Sequence, residues 1–417
     1  MERLITRTAG LCSRRPWWVV AVWAILVAAS LPFAGKAQGR LSSGGFEVPG
    51  SQSQQAIDYL NAHSDRGAYS FSFLVDAPTA AAAEARAAQV RAVVRANYPQ
   101  IRFATAPQAS PDGATISFNG FARVGQNAAL TISRDLKGLV QHTGTPVRTF
   151  VLGPSANYAT FQDITEHGLQ RAEELSSPVI LIVLLVLFGA VVAALVPAVL
   201  GALSVVITFA LVYAIASRTE VSVYATTMVT MIGIGVAVDY SMFILARFRE
   251  ELAAGETTDR AVMAAMATSG TAVAFSGMTV VVSLASIWIV PVRAVQSMAL
   301  AAILVVAVAV LAAMTLLPAV LTLLGPRINA LGVPARRGPA RDGFWLRWSQ
   351  RVMRRPLLSA LGAAAVLVAL SLPAFSLVTA NRSLEQLPAS TDVRQGNALL
   401  TSRITGPGEG REGALTN

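Results

Sequence analysis

Residues Met231 to Leu252 read MIGIGVAVDYSMFILARFREEL, an apolar run that carries an acid and a phenol, Asp239-Tyr240, at its centre. A carboxylate near the middle of a membrane helix costs roughly 2.5–3.5 kcal/mol on insertion scales, so it must be compensated or used. Asp239 lies eight residues before Arg247. At 1.5 Å per residue that places it about 12 Å inside the cytoplasmic end of a helix. Tyr240 is rotated about 100° from Asp239 on such a helix, so the two flank one seam. Gly235 sits one turn before the acid and Gly233 just ahead of it. Small residues let a second helix approach closely. That helix belongs either to the same bundle or to a further set of spans.

The rest of the chain has a membrane composition. Of 417 residues, 54% are hydrophobic and 13% charged; ordinary soluble domains carry about 25% charged residues. Spans are expected at Trp17–Phe33, at a hairpin over Pro178–Ala216 broken around Gly189 and Pro197, and at Val221–Ala246. Others are expected at Gly270–Val290, Ser297–Leu324 and Leu357–Val378, seven in all. Residues 34–177 differ: they hold 12 basic and 11 acidic residues and alternate polar with apolar. Strands are expected at Tyr69–Val75, Ala114–Ala122 and Val147–Leu152, with helices at Thr79–Ala96 and 127–141. The fold class is thus an α-helical polytopic membrane protein of about seven spans, with one extracytoplasmic, porter-like α+β domain between spans 1 and 2.

Residues 325–356 hold eight arginines against Asp342 alone. Arginines beside spans mark the cytoplasmic side, which is the reading preferred here to nucleic-acid binding. Counting spans then puts the N-terminus inside the cytoplasmic membrane and residues 34–177 outside. Phe344, Trp345, Trp348 and Met353 interleave with Arg347 and Arg351, as in an interfacial amphipathic helix able to meet anionic lipids. Arg247, Arg249, Glu250 and Glu251 read as a solvated cytoplasmic anchor. The single Cys12 and three scattered histidines supply no metal set. No nucleophile–base pair, phosphate loop or zinc motif appears, so the chain reads as neither an enzyme nor an ATP-driven pump, and no cofactor is expected.

Arg14-Arg15-Pro16, a span, then Ser30-Leu31-Pro32 recurs as Arg354-Arg355-Pro356, a span, then Ser371-Leu372-Pro373. Val48-Pro49-Gly50-Ser51 matches Leu387-Pro388-Ala389-Ser390, and Leu60 falls on Leu399. A second copy of the unit therefore starts near residue 345. The expected division is 1–33 (N-terminus and span 1), 34–177 (outer domain), 178–324 (spans 2–6), 325–356 (basic loop), 357–378 (span 7) and 379–417 (start of a second outer domain). Repeats of this kind are a transporter habit, with sites at the repeat interface.

Gly233-Ile-Gly235 through Asp239-Tyr240-Ser-Met-Phe243, then Arg247-Phe-Arg249-Glu250-Glu251-Leu252, resembles the MMPL family of the resistance–nodulation–division superfamily. Supporting matches are Ser269-Gly270, Phe275-Ser276-Gly277-Met278-Thr279 and Leu316-Leu317-Pro318-Ala319. The resemblance implies twelve spans and two outer domains in family members, and proton-driven export of lipids or other hydrophobic compounds. It implies a proton relay in which Asp239-Tyr240 works with a second Asp-Tyr pair on span 10. Ser269, Ser276 and Thr279 are candidates to line the proton path, or else bond back to their own helix. Thr271 stands where many relatives carry a basic residue, and Arg411–Asn417 departs from the family pattern. The chain reads as a truncated half, inactive as a monomer, whose second pair would come from a homodimer or a complementary half-transporter. Its other expected partners are membrane lipids and a hydrophobic substrate. The rival reading is a non-transporting, sterol-sensing-like scaffold or regulatory partner, for which Asp239 would be dispensable.

Overall fold

The computed structural model describes residues 2–42, 44–45, 48, 50–64, 67–104, 106–332, 344–376 and 387–405. Arg336, Arg337, Arg341 and Gly406–Asn417 lie outside them, as do the side chains of Phe344 and Trp345. In chain order the first elements are α1 (Glu2–Arg14), α2 (Pro16–Ala34) and α3 (Gln52–His63). An α+β unit follows: β1 (Tyr69–Asp76), α4 (Ala80–Asn97), β2 (Arg102–Phe103), β3 (Gln108–Ala109), β4 (Thr115–Ala122), α5 (Gln126–Val140) and β5 (Arg148–Leu152). The helical bundle comprises α6 (Pro154–Phe188), α7 (Val191–Ala216), α8 (Tyr224–Ala253), α9 (Thr258–Ala265), α10 (Thr271–Ala285), α11 (Arg293–Leu311) and α12 (Leu317–Leu324). Beyond it lie α13 (Phe344–Arg354), α14 (Pro356–Ser371) and α15 (Asp392–Leu400).

The α+β unit is an antiparallel sheet ordered β2-β4-β1-β5, with β3 also on β4. Alternation along β1 sends Phe71, Phe73 and Val75 to one face, where they join Phe118, Val90, Val94 and Leu136 under α4 and α5. Phe73 pairs with Phe118 in the register, their rings stacked at 5.2 Å. Thr79 caps α4, its hydroxyl accepting from Ala82 N at 3.3 Å, which explains why the alanine-rich run starts where it does. The opposite face presents Leu74, Phe150 and Leu152, and Leu387 and Val393 of α15 and its approach cover it. A segment that sequence alone assigns to a second outer unit thus sits on the first sheet. A bare apolar sheet face would otherwise meet water.

Six helices are long and apolar enough to cross a membrane: Pro16–Ala34, Val191–Ala216, Tyr224–Ala253, Thr258–Ile289, Arg293–Asn329 and Pro356–Ser376. The chain is a multi-pass membrane protein. The seventh expected span is the C-terminal part of α6, which is not among the six because the helix runs unbroken from the α+β unit and carries charge down to Glu174. Its boundary at 177/178 falls inside one continuous helix. The hairpin breaks at Gly189, left-handed at φ +63, whereas Pro197 stays inside α7.

α8 lies between α7 and α11. Ala301, Ala302, Val305 and Ala309 of α11 are buried there, and such small side chains permit close packing where lipid supplies no hydrophobic drive. The strand leaving α2 is tied to the tops of α8 and α11. Ser42 N donates to Val221 O at 2.8 Å and Ala294 N to Gly45 O at 2.7 Å. Gly45, at φ +100, would bring a Cβ to 3.2 Å from Ala294 N. The repeat is visible in the backbone. Arg15 (φ −132, ψ 57) and Arg355 (φ −139, ψ 66) break α1 from α2 and α13 from α14 in the same way, each followed by a proline.

Candidate functional site

Along α8 the 100° step separates the two members of the pair. Tyr240 turns inward and is 7% exposed, with Gly277 of α10 beneath its ring, where an added Cβ would lie 3.7 Å from Tyr240 Cε2. Asp239 turns outward and is exposed, on one stripe with Met231, Gly235 and Phe243. Among the described residues neither the Asp239 carboxylate nor the Tyr240 hydroxyl has a hydrogen bond or ion pair. Ser241, on the buried side, bonds back to Ala237 O at 2.6 Å.

The two glycines have different surroundings. At Gly233 a Cβ would come to 2.5 Å from Val305 and 3.1 Å from Val205, so this residue serves packing within the bundle against α11 and α7. At Gly235 nothing lies within 4 Å. The open stripe therefore has a smooth, Cβ-free notch one turn above an unpartnered acid. This geometry suits the close approach of another helix.

The three hydroxyl candidates do not converge on the pair. Thr279 donates to Phe275 O at 2.9 Å and is exposed. Ser276 is exposed, and Ser269 sits in a wide π-type turn, Met266–Gly270, that leads into α10. No bond links any of them to Asp239 or Tyr240 among the described residues. Thr271 has a buried, unbonded Oγ1 at the start of α10.

Sequence reading missed two contacts. Arg249, taken for a solvated anchor, is half-buried. It donates from Nη1 to Phe188 O at 2.8 Å and from Nε to Asn329 Oδ1 at 2.7 Å, so it caps the end of α6 and ties three helix ends together. Arg247 does behave as a surface residue, paired with Glu250 at 3.0 Å and Glu251 at 2.5 Å. Trp23 of α2 donates to Thr315 Oγ1 at 3.1 Å within a second wide turn, Ala312–Leu316. A tryptophan inside an apolar span and a threonine facing it were the available signals, but their register is a tertiary fact.

The sequence matches the MMPL family over residues 48–359. It is 39% identical to the mycolic acid-containing lipids exporter MmpL11 of Mycolicibacterium smegmatis, over 96% of this chain and 44% of that protein. It is 38% identical to the heme uptake protein MmpL11 of Mycobacterium tuberculosis, over 94% of this chain and 42% of that protein. It is 33% identical to the trehalose monomycolate exporter MmpL3 of Mycolicibacterium smegmatis, over 64% of this chain and 29% of that protein. The chain thus spans less than half the length of these relatives. Among solved structures, SecDF in its super-membrane-facing form aligns at TM-score 0.36 and 14% identity, over 73% of this chain and 38% of that one. On the match over residues 48–359 and the identity to full-length relatives, the chain belongs to the MMPL family.

Proposed function

We propose that this chain forms part of a proton-driven exporter of lipids or other hydrophobic compounds across the cytoplasmic membrane. The observation that carries this reading is Asp239: an acid in mid-span, exposed on the open stripe of α8 beside a glycine notch, with no partner among the described residues. An intramembrane ionisable group that is not neutralised by a neighbour is most simply explained by use. Asp239 loads and releases the proton. Tyr240, held against Gly277, positions the backbone on the inner side of the seam. A second acid–phenol pair, contributed by further spans or by another copy, packs on the open stripe and completes the relay. Ser269, Ser276 and Thr279 are left as path residues only in that completed assembly.

In the proposed topology the N-terminus and residues 325–356 face the cytoplasm, the lower end of α6 makes the seventh crossing, and residues 34–177 stand outside. The relatives named as lipid exporters support the cargo class; a relative named for heme uptake makes direction a separate question. The test is Asp239→Asn in the assembled transporter, reconstituted in vesicles with a fluorescent lipid and an internal pH dye. Lipid movement and the accompanying proton flux should both stop while protein yield is unchanged. Transport that survives the substitution would contradict the relay, whereas an unmodified assembly that moves neither lipid nor protons would favour the non-transporting, sterol-sensing-like scaffold.

A further inference from the structure

Two helix starts in the bundle lack a cap of their own. α8 opens at Val223 and α11 at Val292, and at neither does a side chain bond across the first turn. The first amides of a helix have no partner within it and need one from outside. Here the backbone that leaves α2 supplies it. Val223 N donates to Ser42 O at 2.9 Å and Ala294 N to Gly45 O at 2.7 Å, while Ser42 N donates back to Val221 O at 2.8 Å. Ser42 and Ser222 pair as a parallel bridge. Two buried serines complete the arrangement. Ser222 Oγ donates to Gly44 O at 3.0 Å, and Ser222 N donates to Ser297 Oγ at 3.1 Å. One strap, with Ser42, Gly44 and Gly45, thus caps both helices, and Ser297 ties them to each other.

The other side of the strap is packed without being bonded. A Cβ at Gly44 would run into Asn127 Oδ1 and lie 3.1 Å from Gln126 Oε1, in the first turn of α5. Both of these side-chain oxygens are buried and accept no hydrogen bond among the described residues. α5 in turn lies on the sheet, with Leu136 and Val140 against Phe71 and Phe73. The strap is therefore bonded to α8 and α11 and in contact with α5. The two helices it caps are the ones that carry and back the acid: Gly233 of α8 packs on Val305 of α11, and Asp239 lies about 22 Å along α8 from Tyr224 at 1.5 Å per residue.

We propose that this strap is a transmission: it carries a shift of α8 and α11, set by the charge on Asp239, into the α+β unit, with Ser222 and Ser297 as the positioning residues that hold it. The inference rests on the relay reading above. Charging or neutralising a mid-span acid changes the surroundings it favours, and packed helices answer by moving as bodies. A strap that pairs with the first amides of both helices follows them, because each amide it left would be orphaned. Its unbonded side then pushes on α5.

Hydrogen exchange of the full chain in phosphatidylcholine nanodiscs reads the mechanical link without any transport. Ser222→Ala/Ser297→Ala removes both side-chain bonds and should speed exchange of the amides at 129–136 on α5 several-fold. Ser204→Ala on α7 removes a buried hydroxyl that bonds back to Leu200 O at 2.8 Å and should leave that segment unchanged. Unaltered exchange at 129–136 in the double variant would overturn the link. In vesicles holding the assembled transporter, the double variant should keep proton flux within about two-fold while the lipid moved per proton falls roughly ten-fold, a coupling of ordinary allosteric size. Equal loss of both fluxes would make the serines structural only, and an unchanged ratio would assign the transmission to α6; either result overturns the proposal. An unmodified assembly without proton flux would refute the relay instead, and the exchange result would then decide the strap by itself.

Discussion

At the scale of single residues, the bundle separates what packs from what is kept open. Gly233 and Gly235 look alike in sequence and differ in consequence. Gly233→Val should cost about 1–3 kcal/mol, because Val305 and Val205 already occupy the space. Gly235→Ala meets no neighbour and should change stability by less than about 1 kcal/mol. Thermal unfolding of detergent-solubilised protein distinguishes them; equal losses would contradict the assignment. Outside the membrane, Tyr98 donates to Asp135 at 2.6 Å. Burial, then that bond and the aspartate charge, push its phenol up to about 12. The folded value exceeds the unfolded one near 10, so the stabilising contribution is intact below about pH 10 and is lost as pH rises from there towards 12. Tyr98→Phe should remove that alkaline decline, read as stability against pH. The Asp-Tyr pair itself was legible in sequence, since an acid in an apolar run stands out. Which of the two faces inward was not, because a 100° step says how they differ and not where the neighbours are.

At the scale of elements, local signals carried far. β1, α4, β4, α5 and β5 lie within a residue or two of their expected limits, because alternation, the Thr79 cap and the Pro111-Asp112-Gly113 turn act locally. α6 was misread as a domain end followed by a span, since the change from polar to apolar at Pro178 looks like a boundary. The helix runs on through Pro178 although residues 174–179 are exposed, since an internal proline removes one backbone hydrogen bond without necessarily ending the helix. Its C-terminal carbonyl, Phe188 O, is held by Arg249. Arg249→Ala should cost about 1–3 kcal/mol, the penalty for orphaning a buried carbonyl partner, measured again by thermal unfolding. α15 offers a second check. At Gly396 a Cβ would lie 2.8 Å from Leu152 and 2.9 Å from Phe150. Gly396→Val should lift 387–405 off the sheet and speed limited proteolysis near Arg403, leaving the bundle intact.

At the scale of the whole molecule, the repeat and the open stripe point the same way. α1 is packed beneath α9 and α12, with Ala9 fully buried, whereas the one extensive helix contact of its counterpart α13 among the described residues is with α14. α15 is seated on a sheet, whereas its counterpart α3 leaves Tyr59 and Leu60 exposed. In both pairs one copy is the more deeply seated, an asymmetry that the proposed second unit would remove. The proposed topology predicts that single cysteines placed in a Cys12→Ser background at Ser53 and Ala106 react with an impermeant maleimide from outside intact cells, and one at Ser349 only after permeabilisation. The central claim is the proton relay, and simultaneous recording of lipid and proton flux in vesicles holding the assembled transporter tests it most directly. Asp239→Asn should abolish both fluxes with the fold unchanged by circular dichroism; lipid transport persisting at the unmodified rate would contradict it.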